Sequence, residues 1–368
     1  MIDQVDKEYI IVSCELLLSL WIEKLRTKML LVRKSMLIAT AVVALVSHAD
    51  VCNASSVAQG ANVAGSQKVA FYTGQVKLVA NLYLPPGYDR SRKYPAIVVV
   101  HPWGGVKEQT SGLYAQKLAR EGFVTLAFDA SHYGESGGQP RDLEDPANRV
   151  TDIRSAIGYL SKLPLVDANR IGALGVCAGG GYTLNEAQTD LRVKAVASVV
   201  AYDIGEATRS GIQGSPVSDE GRRDQLRSIA EQLNKEAAGE PVLTQQLLPS
   251  RDGVTTETPN FIREATDYYL TPRGAHPNAK NRYVVTSPLL HMAYYPLEHM
   301  DLVSPRPVLL IAGEKAETLS FSQTAYVKAK QPKELMIVPG ATHFDMYDKP
   351  EYVMPAVSKL ADFYRKNL

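Results

Sequence analysis

A cysteine framed by glycines is the residue whose setting points most directly to chemistry. Gly175-Val176-Cys177-Ala178-Gly179-Gly180 ends the apolar run Ile171 to Val176 and leads into a helix-like stretch. This is the layout of a nucleophile elbow, with cysteine where serine is commoner. Glycines are needed on both sides because a side chain there would collide with neighbouring backbone. Taken alone, Cys177 also reads as a small buried residue at the end of a core strand. As a nucleophile it requires a base, and His343 in Gly340-Ala341-Thr342-His343-Phe344 follows the last apolar run. There it would hold the Cys177 thiolate as an ion pair and then protonate the leaving group.

A third group should orient His343 and follow the run Val308 to Ile311. The segment Gly313-Glu314-Lys315-Ala316-Glu317 offers two carboxylates. Glu314 is favoured because it lies closer to the strand end, Glu317 stays open, and Asp203 is a third possibility. Negative charge developing on a substrate oxygen needs two backbone N–H donors. Ala178 supplies one at the start of the helix, whose dipole would also lower the thiol pKa. The second comes from His101-Pro102-Trp103-Gly104-Gly105, where Pro102 has no N–H and Trp103 is therefore the donor. His132, in the loop Asp129 to Gly138, is read as facing the pocket or as a loop residue.

These groups need a scaffold that brings distant loops to one edge. From about Gln67 strand-like and helix-like runs alternate, as a mostly parallel sheet covered by helices requires. Val69 to Tyr72 and Val76 to Leu84 read as an antiparallel pair. Ala96 to Val100, Phe123 to Phe128, Ile171 to Val176, Val193 to Val200, Val308 to Ile311 and Leu335 to Val338 read as core strands. Regularity lapses between Tyr202 and Pro307, so the core falls into residues 67–204 and 307–368, and 205–306 are read as a lid over the active edge. The closing segment Glu351 to Asn367 repeats Val353, Val357, Leu360 and Phe363 at helical spacing.

Composition narrows the function classes. The 368 residues are 45% hydrophobic and 21% charged, with a net charge of +1. Basic clusters interleaved with aromatics are lacking, so a small-molecule enzyme is expected rather than a nucleic-acid binder. Cys14, Cys52 and Cys177 are the only cysteines, too few for a disulfide framework or a C-x-x-C metal site. Residues 1–54 read as a leader. Arg33 and Lys34 precede the short apolar stretch Met36 to Val46, and Ser47, Ala49 or Ala54 offer cleavage positions, as in a signal peptide over 29–54. Export to a periplasmic or secreted location follows, with no stable membrane insertion after processing and a start codon set too early upstream.

The elbow, the His101-to-Gly105 loop and the terminal Gly-Ala-Thr-His segment together resemble the α/β-hydrolase superfamily, and within it the dienelactone hydrolase-like branch, whose elbow also carries cysteine. The chain order of nucleophile, acid and histidine is similar to that superfamily's. The resemblance covers about Gln67 to the end. It implies an α/β-hydrolase fold, a Cys-His-acid triad, no cofactor or metal, and cleavage of a small-molecule ester, lactone or thioester through an acyl-enzyme. Carboxylic-ester or lactone hydrolysis is the leading expectation; a thioesterase or acyltransferase, or a binding protein with an inert Cys177, are the rivals. Tyr268-Tyr269-Leu270-Thr271-Pro272-Arg273-Gly274 is similar to a segment in a bacterial group of these hydrolases. The export-like leader and the long insertion depart from the compact cytosolic dienelactone hydrolases, so their substrate does not carry over.

Overall fold

Runs of Val, Ile, Leu and Ala that are buried on both faces dictate a central sheet. The computed structural model describes residues 66–368. The leader expected over 1–54, with its signal peptide, lies outside the described residues. The chain order runs β1 (Ser66–Thr73), β2 (Val76–Tyr83), β3 (Tyr94–Val100), α1 (Thr110–Arg120), β4 (Val124–Phe128), α2 (Pro146–Ser161), β5 (Val166–Val176), α3 (Ala178–Ala187) and β6 (Val193–Val199). After an insertion come β11 (Val308–Gly313), α8 (Leu319–Lys328), β12 (Lys333–Val338), α9 (Asp345–Asp348) and α10 (Pro350–Asn367). The insertion itself holds α4 (Ile204–Ser210), the hairpin β7 (Gly211–Ile212) and β8 (Ser215–Pro216), α5 (Asp219–Ala237), β9 (Thr244–Gln246), α6 (Asn260–Leu270), β10 (Arg282–Val284) and α7 (Ser287–Met292).

Eight strands form one sheet in the order β1-β2-β4-β3-β5-β6-β11-β12. The β1–β2 and β2–β4 pairs are antiparallel, and every later pair is parallel. Ala96 to Val100 are all essentially inaccessible, and each buried Val or Ile contributes on the order of 1.5–3 kcal/mol relative to exposure. Helix α2 begins where Asp145 accepts from the Ala147 N–H and Pro146 fixes the first turn. Helix α10 buries Val353, Val357, Leu360 and Phe363 as its spacing predicts, and its Tyr364 hydroxyl donates to the Ala173 carbonyl beneath β5 at 2.7 Å.

Strand order is what positions the site. The chain leaves β3 toward β4 and then crosses back, so β3 and β5 are neighbours whose following loops run to opposite sides. Such a switch point opens a crevice at the carboxyl ends of the strands. Trp103 follows β3, Cys177 follows β5, and the loops after β11 and β12 end at the same edge. A buried ionic cluster fixes the first of these loops. The inaccessible Lys107 ammonium lies 2.8 Å from Asp129, 2.6 Å from Glu135 and 2.7 Å from Glu108, while the Lys107 N–H donates to Asp129.

Candidate active site

The β5–α3 turn has the backbone that an elbow demands. Cys177 sits at φ 57° and ψ −126°, a conformation that costs a non-glycine residue roughly 1–3 kcal/mol and persists only where surroundings enforce it. They do so here: the Cys177 N–H donates to Val199 at 3.0 Å, and its carbonyl accepts from Gly180 at 2.8 Å and Tyr202 at 3.0 Å. A Cβ on Gly175 would strike the Gly179 carbonyl, and one on Gly179 would strike the Val100 and His101 carbonyls. Glycine is therefore required on both sides of the cysteine, as the sequence predicts.

Ala178 opens α3 directly after the cysteine, and its N–H lies against the thiol. Trp103 lies across the switch point, its ring edge-on to Tyr283 and His291 at centroid distances of 5.3 and 5.2 Å. The loop carrying it is held from below: the Ala130 N–H donates to His101 Nε2 at 3.0 Å, and the buried Arg149 guanidinium donates to the His101 carbonyl. Burial and the Arg149 charge keep His101 neutral. Ala178 thus opens the helix on fixed backbone beside the thiol, and Trp103 follows β3 at the same edge of the sheet.

His343 is fully buried in the loop after β12. Its Nδ1 lies 2.6 Å from the Thr318 hydroxyl and its Nε2 lies 3.3 Å from the Tyr347 hydroxyl. Here the structure departs from the expected acid. The Glu314 carboxylate turns outward and accepts from the Gly340 N–H at 2.8 Å, and Glu317 accepts from Asn260 at 3.0 Å. Asp203 caps α4 by accepting from the Glu206 N–H at 2.8 Å, and burial pushes its pKa up to about 6. None of the three carboxylates is the hydrogen-bond partner of His343. The chain turns tightly after β11, with Lys315 N–H donating to Ala341 and Ala316 N–H to Gly313, which leaves Glu314 exposed and Glu317 half-buried against Asn260, and brings the inaccessible Thr318 to the imidazole.

The expected thiolate–imidazolium pair is corrected as well. Burial drives the Cys177 thiol up to about 12, against the Tyr347 hydroxyl and the Ala178 N–H, which pull it down. Burial pushes His343 down to about 3, with no carboxylate beside it to favour the imidazolium. Burial is the largest influence on both groups and disfavours the charged form of each. His132 proves to be a loop residue: its N–H donates to Gly137, and its ring contacts Pro140 and Asn148.

Residues 80–215, which include the Trp103 loop and the elbow, match the model of the Dienelactone hydrolase family. The uncharacterized protein PA2218 of Pseudomonas aeruginosa is 42% identical over 297 residues, or 80% of this chain and 78% of that protein. Its crystal structure has a TM-score of 0.77 at 40% identity, covering 84% of this chain and 96% of that one. The uncharacterized protein YcjY of Escherichia coli is 40% identical over 309 residues, 82% of this chain and 99% of that one. The chain belongs to the dienelactone hydrolase family. A thiohydrolase of Eupenicillium brefeldianum is similar at 27% identity over 308 residues, 80% of this chain and 92% of that one.

This dienelactone hydrolase family member is an α/β-hydrolase enzyme whose site includes residues that its sequence did not advertise. Tyr347 and Thr318 flank His343 from different loops. Buried Glu144 and Arg149 sit close enough to Cys177 that their charges oppose each other on the thiol, and Glu144 accepts from Tyr182 at 2.6 Å. The Tyr268-to-Gly274 segment also gains a physical role. Arg273 donates to Asp348 at 2.7 Å and to the Phe344 carbonyl at 2.7 Å, and the Tyr268 ring meets Tyr347 edge-on at 4.9 Å. The segment clamps the loop that bears His343. A paired signal for these residues did exist in Thr-His-Phe-Asp-Met-Tyr, since position 347 falls one turn beyond His343. Among the described residues no helix is long and apolar enough to cross a membrane.

Proposed function

We propose that this enzyme hydrolyses a carboxylic ester or lactone by transfer of the acyl group to Cys177. The observation that carries this reading is the left-handed φ of Cys177 on the strand-to-helix elbow. The thiol sulfur attacks the acyl carbon, and the carbonyl π electrons move to oxygen, where the Ala178 and Trp103 N–H groups meet the charge. His343 Nε2 receives the thiol proton and returns it to the leaving alkoxide. Water then attacks the thioester on Cys177 as His343 takes its proton; the carbon–sulfur bond breaks, the carboxylic acid departs, and His343 returns the proton to the Cys177 sulfur. A basic Nε2 requires the proton on Nδ1, where it donates to Thr318 Oγ1; a hydroxyl orients the ring but does not neutralise its charge.

The insertion acts as the lid in this account. Cys177 is 7% exposed and His343 is inaccessible, with Phe261 of α6 against the imidazole at 5.1 Å. The open cleft of about 460 Å³ beside α4 and α8 is lined by Asp203, Arg209, Tyr295 and Phe321, not by Cys177 or His343. Substrate reaches the sulfur when α6 and its neighbours move away. Tyr202, Phe261 and Tyr269 around the site favour an apolar or aromatic acyl group.

Thioester cleavage is the second reading, favoured by the likeness to the Eupenicillium brefeldianum thiohydrolase. Rates on p-nitrophenyl esters of graded chain length, an aryl-substituted lactone and matched thioesters separate the two. The proposal expects oxygen esters or lactones to give the higher kcat/KM. Turnover of thioesters alone would replace it with the second reading. No turnover of any of them by protein with a titratable thiol would leave a binding protein on this fold.

The same assay tests the orienting group. Thr318→Val is expected to lower kcat about tenfold, the loss of one hydrogen bond in a dry site. Glu314→Ala and Glu317→Ala should each stay within about threefold of wild type, because neither carboxylate hydrogen-bonds His343. A loss above a hundredfold in either glutamate variant would restore a carboxylate to the triad.

A further inference from the structure

The turn after β3 is pinned at one end of a single peptide. The Pro102 carbonyl accepts from the Gly105 N–H at 3.1 Å, and Gly104 takes φ 69°, the left-handed value that the third position of a type II turn requires. His101 Nδ1 lies 2.7 Å from the same Pro102 carbonyl, and its Nε2 lies 3.0 Å from the Ala130 N–H. A carbonyl only accepts and an N–H only donates, so these partners fix the tautomer: the proton sits on Nδ1 and is donated to Pro102. The Arg149 guanidinium, 3.2 Å from Nε2 and 3.3 Å from Nδ1, opposes a second proton on the ring. Arg149 also donates to the His101 carbonyl. That carbonyl abuts the elbow, since a Cβ on Gly179 would lie 2.7 Å from it. His101 is inaccessible, so water does not compete for either ring nitrogen.

We infer that His101 is a positioning residue that aims the Trp103 N–H at the substrate oxygen. The inference rests on the acyl-transfer reading above and concerns the donor which that reading takes from this loop. The Pro102 carbonyl and the Trp103 N–H belong to one planar trans peptide, so they point in opposite directions. Two donors hold the carbonyl end, the His101 imidazole and the Gly105 N–H, and the plane cannot turn without breaking both. The other end is unbonded: among the described residues the Trp103 N–H donates to no group. An N–H kept unpaired on a fixed plane is preorganised for charge that appears only as the acyl carbon becomes tetrahedral. His101 acts through the peptide and touches no reacting atom. Its proton is committed to Pro102, so the base remains His343.

The test uses the full chain as wild type, His101→Asn, His101→Gln and His101→Leu. An asparagine amide nitrogen can stand where Nδ1 stands and donate to Pro102. A glutamine amide reaches the Ala130 side instead and leaves the Pro102 carbonyl without its side-chain donor. On a p-nitrophenyl ester, His101→Gln and His101→Leu should each lower kcat about 10²-fold with KM nearly unchanged, the cost of one misaimed oxyanion donor. His101→Asn should stay within about tenfold of wild type. Alkylation of Cys177 by iodoacetamide builds no oxyanion, so its rate should match in all four proteins. Equal activity of the asparagine and glutamine variants, or alkylation that falls in step with kcat, would leave His101 a merely structural role and overturn the inference. Crystal structures of wild type and His101→Gln need no substrate. The Pro102–Trp103 plane is expected to turn in the glutamine variant, and an unmoved plane would overturn the inference even where esters are hydrolysed. A plane that turns in a protein with no esterase activity would uphold the positioning by His101 and sink the acyl-transfer reading instead.

Discussion

Replacing Cys177 with alanine is expected to reduce kcat/KM on any ester the wild type hydrolyses by at least about 10⁴-fold, because in the proposed reaction its sulfur makes the first new bond to the acyl carbon. The fold should survive. Alanine at 177 loses a side chain that packs in the core but keeps the backbone bonds to Val199, Gly180 and Tyr202. It cannot relieve φ 57°, so the elbow remains strained and the unfolding midpoint should move by only a few degrees. Cys177→Ser adds information: it retains a nucleophile of the right reach but with a far less acidic proton, and it should keep a small fraction of the activity. Thermal melts and steady-state rates on the three proteins measure both expectations.

Loss of His343 should have the next largest effect. His343→Ala is expected to lower kcat about 10³-fold or more, the usual range for a general base and acid in one residue. The acid limb of the pH profile carries the sign of its environment. Burial disfavours the imidazolium and lowers the His343 pKa to about 3, so the neutral base persists as pH falls through 6 and 5. Wild-type kcat/KM should therefore stay level from pH 7 down to about pH 5, and decline only nearer pH 4. A histidine held by a carboxylate would lose activity at higher pH, with its limb near 6 to 7. The thiol moves in the other direction: burial raises it to about 12, so alkylation of the free enzyme should still be climbing at pH 9.

The parts of the site that depend on short-range backbone geometry were legible in the sequence. Glycines at 175 and 179 can be read as steric necessities, and each would place a Cβ against a carbonyl. The continuous apolar runs gave the buried strands, and the loss of periodicity after Tyr202 marked the insertion that separates β6 from β11. What was not legible depends on how far a side chain turns or how dry its surroundings are. Glu314 and Glu317 have the chemistry of an orienting acid, but Glu314 accepts from Gly340 and Glu317 from Asn260, and the turn after β11 delivers Thr318 to the imidazole. A helix N-terminus next to a thiol suggests a lowered pKa; Cys177 has that neighbour, yet the aromatic wall of Tyr202, Tyr269 and Tyr347 dominates by desolvation. Glu144 and Arg149 reach Cys177 from the loop and helix after β4, a juxtaposition created by the crossover and by no local motif.

The clamp made by Arg273 links the insertion to the chemistry. It joins the Tyr268-to-Gly274 segment to Asp348 and Phe344, on either side of Tyr347. Arg273 therefore ties the segment after α6 to the residues on either side of Tyr347.

The central claim is that the acyl group is carried on Cys177, and intact-protein mass spectrometry tests it directly. Wild type and His343→Ala are mixed with a p-nitrophenyl ester, quenched in acid within seconds and digested for peptide mapping. The account predicts a mass increase of one acyl group, located on the peptide containing Cys177 and absent from Cys177→Ala. Turnover with no adduct on that peptide, or an adduct that persists in Cys177→Ala, would contradict it.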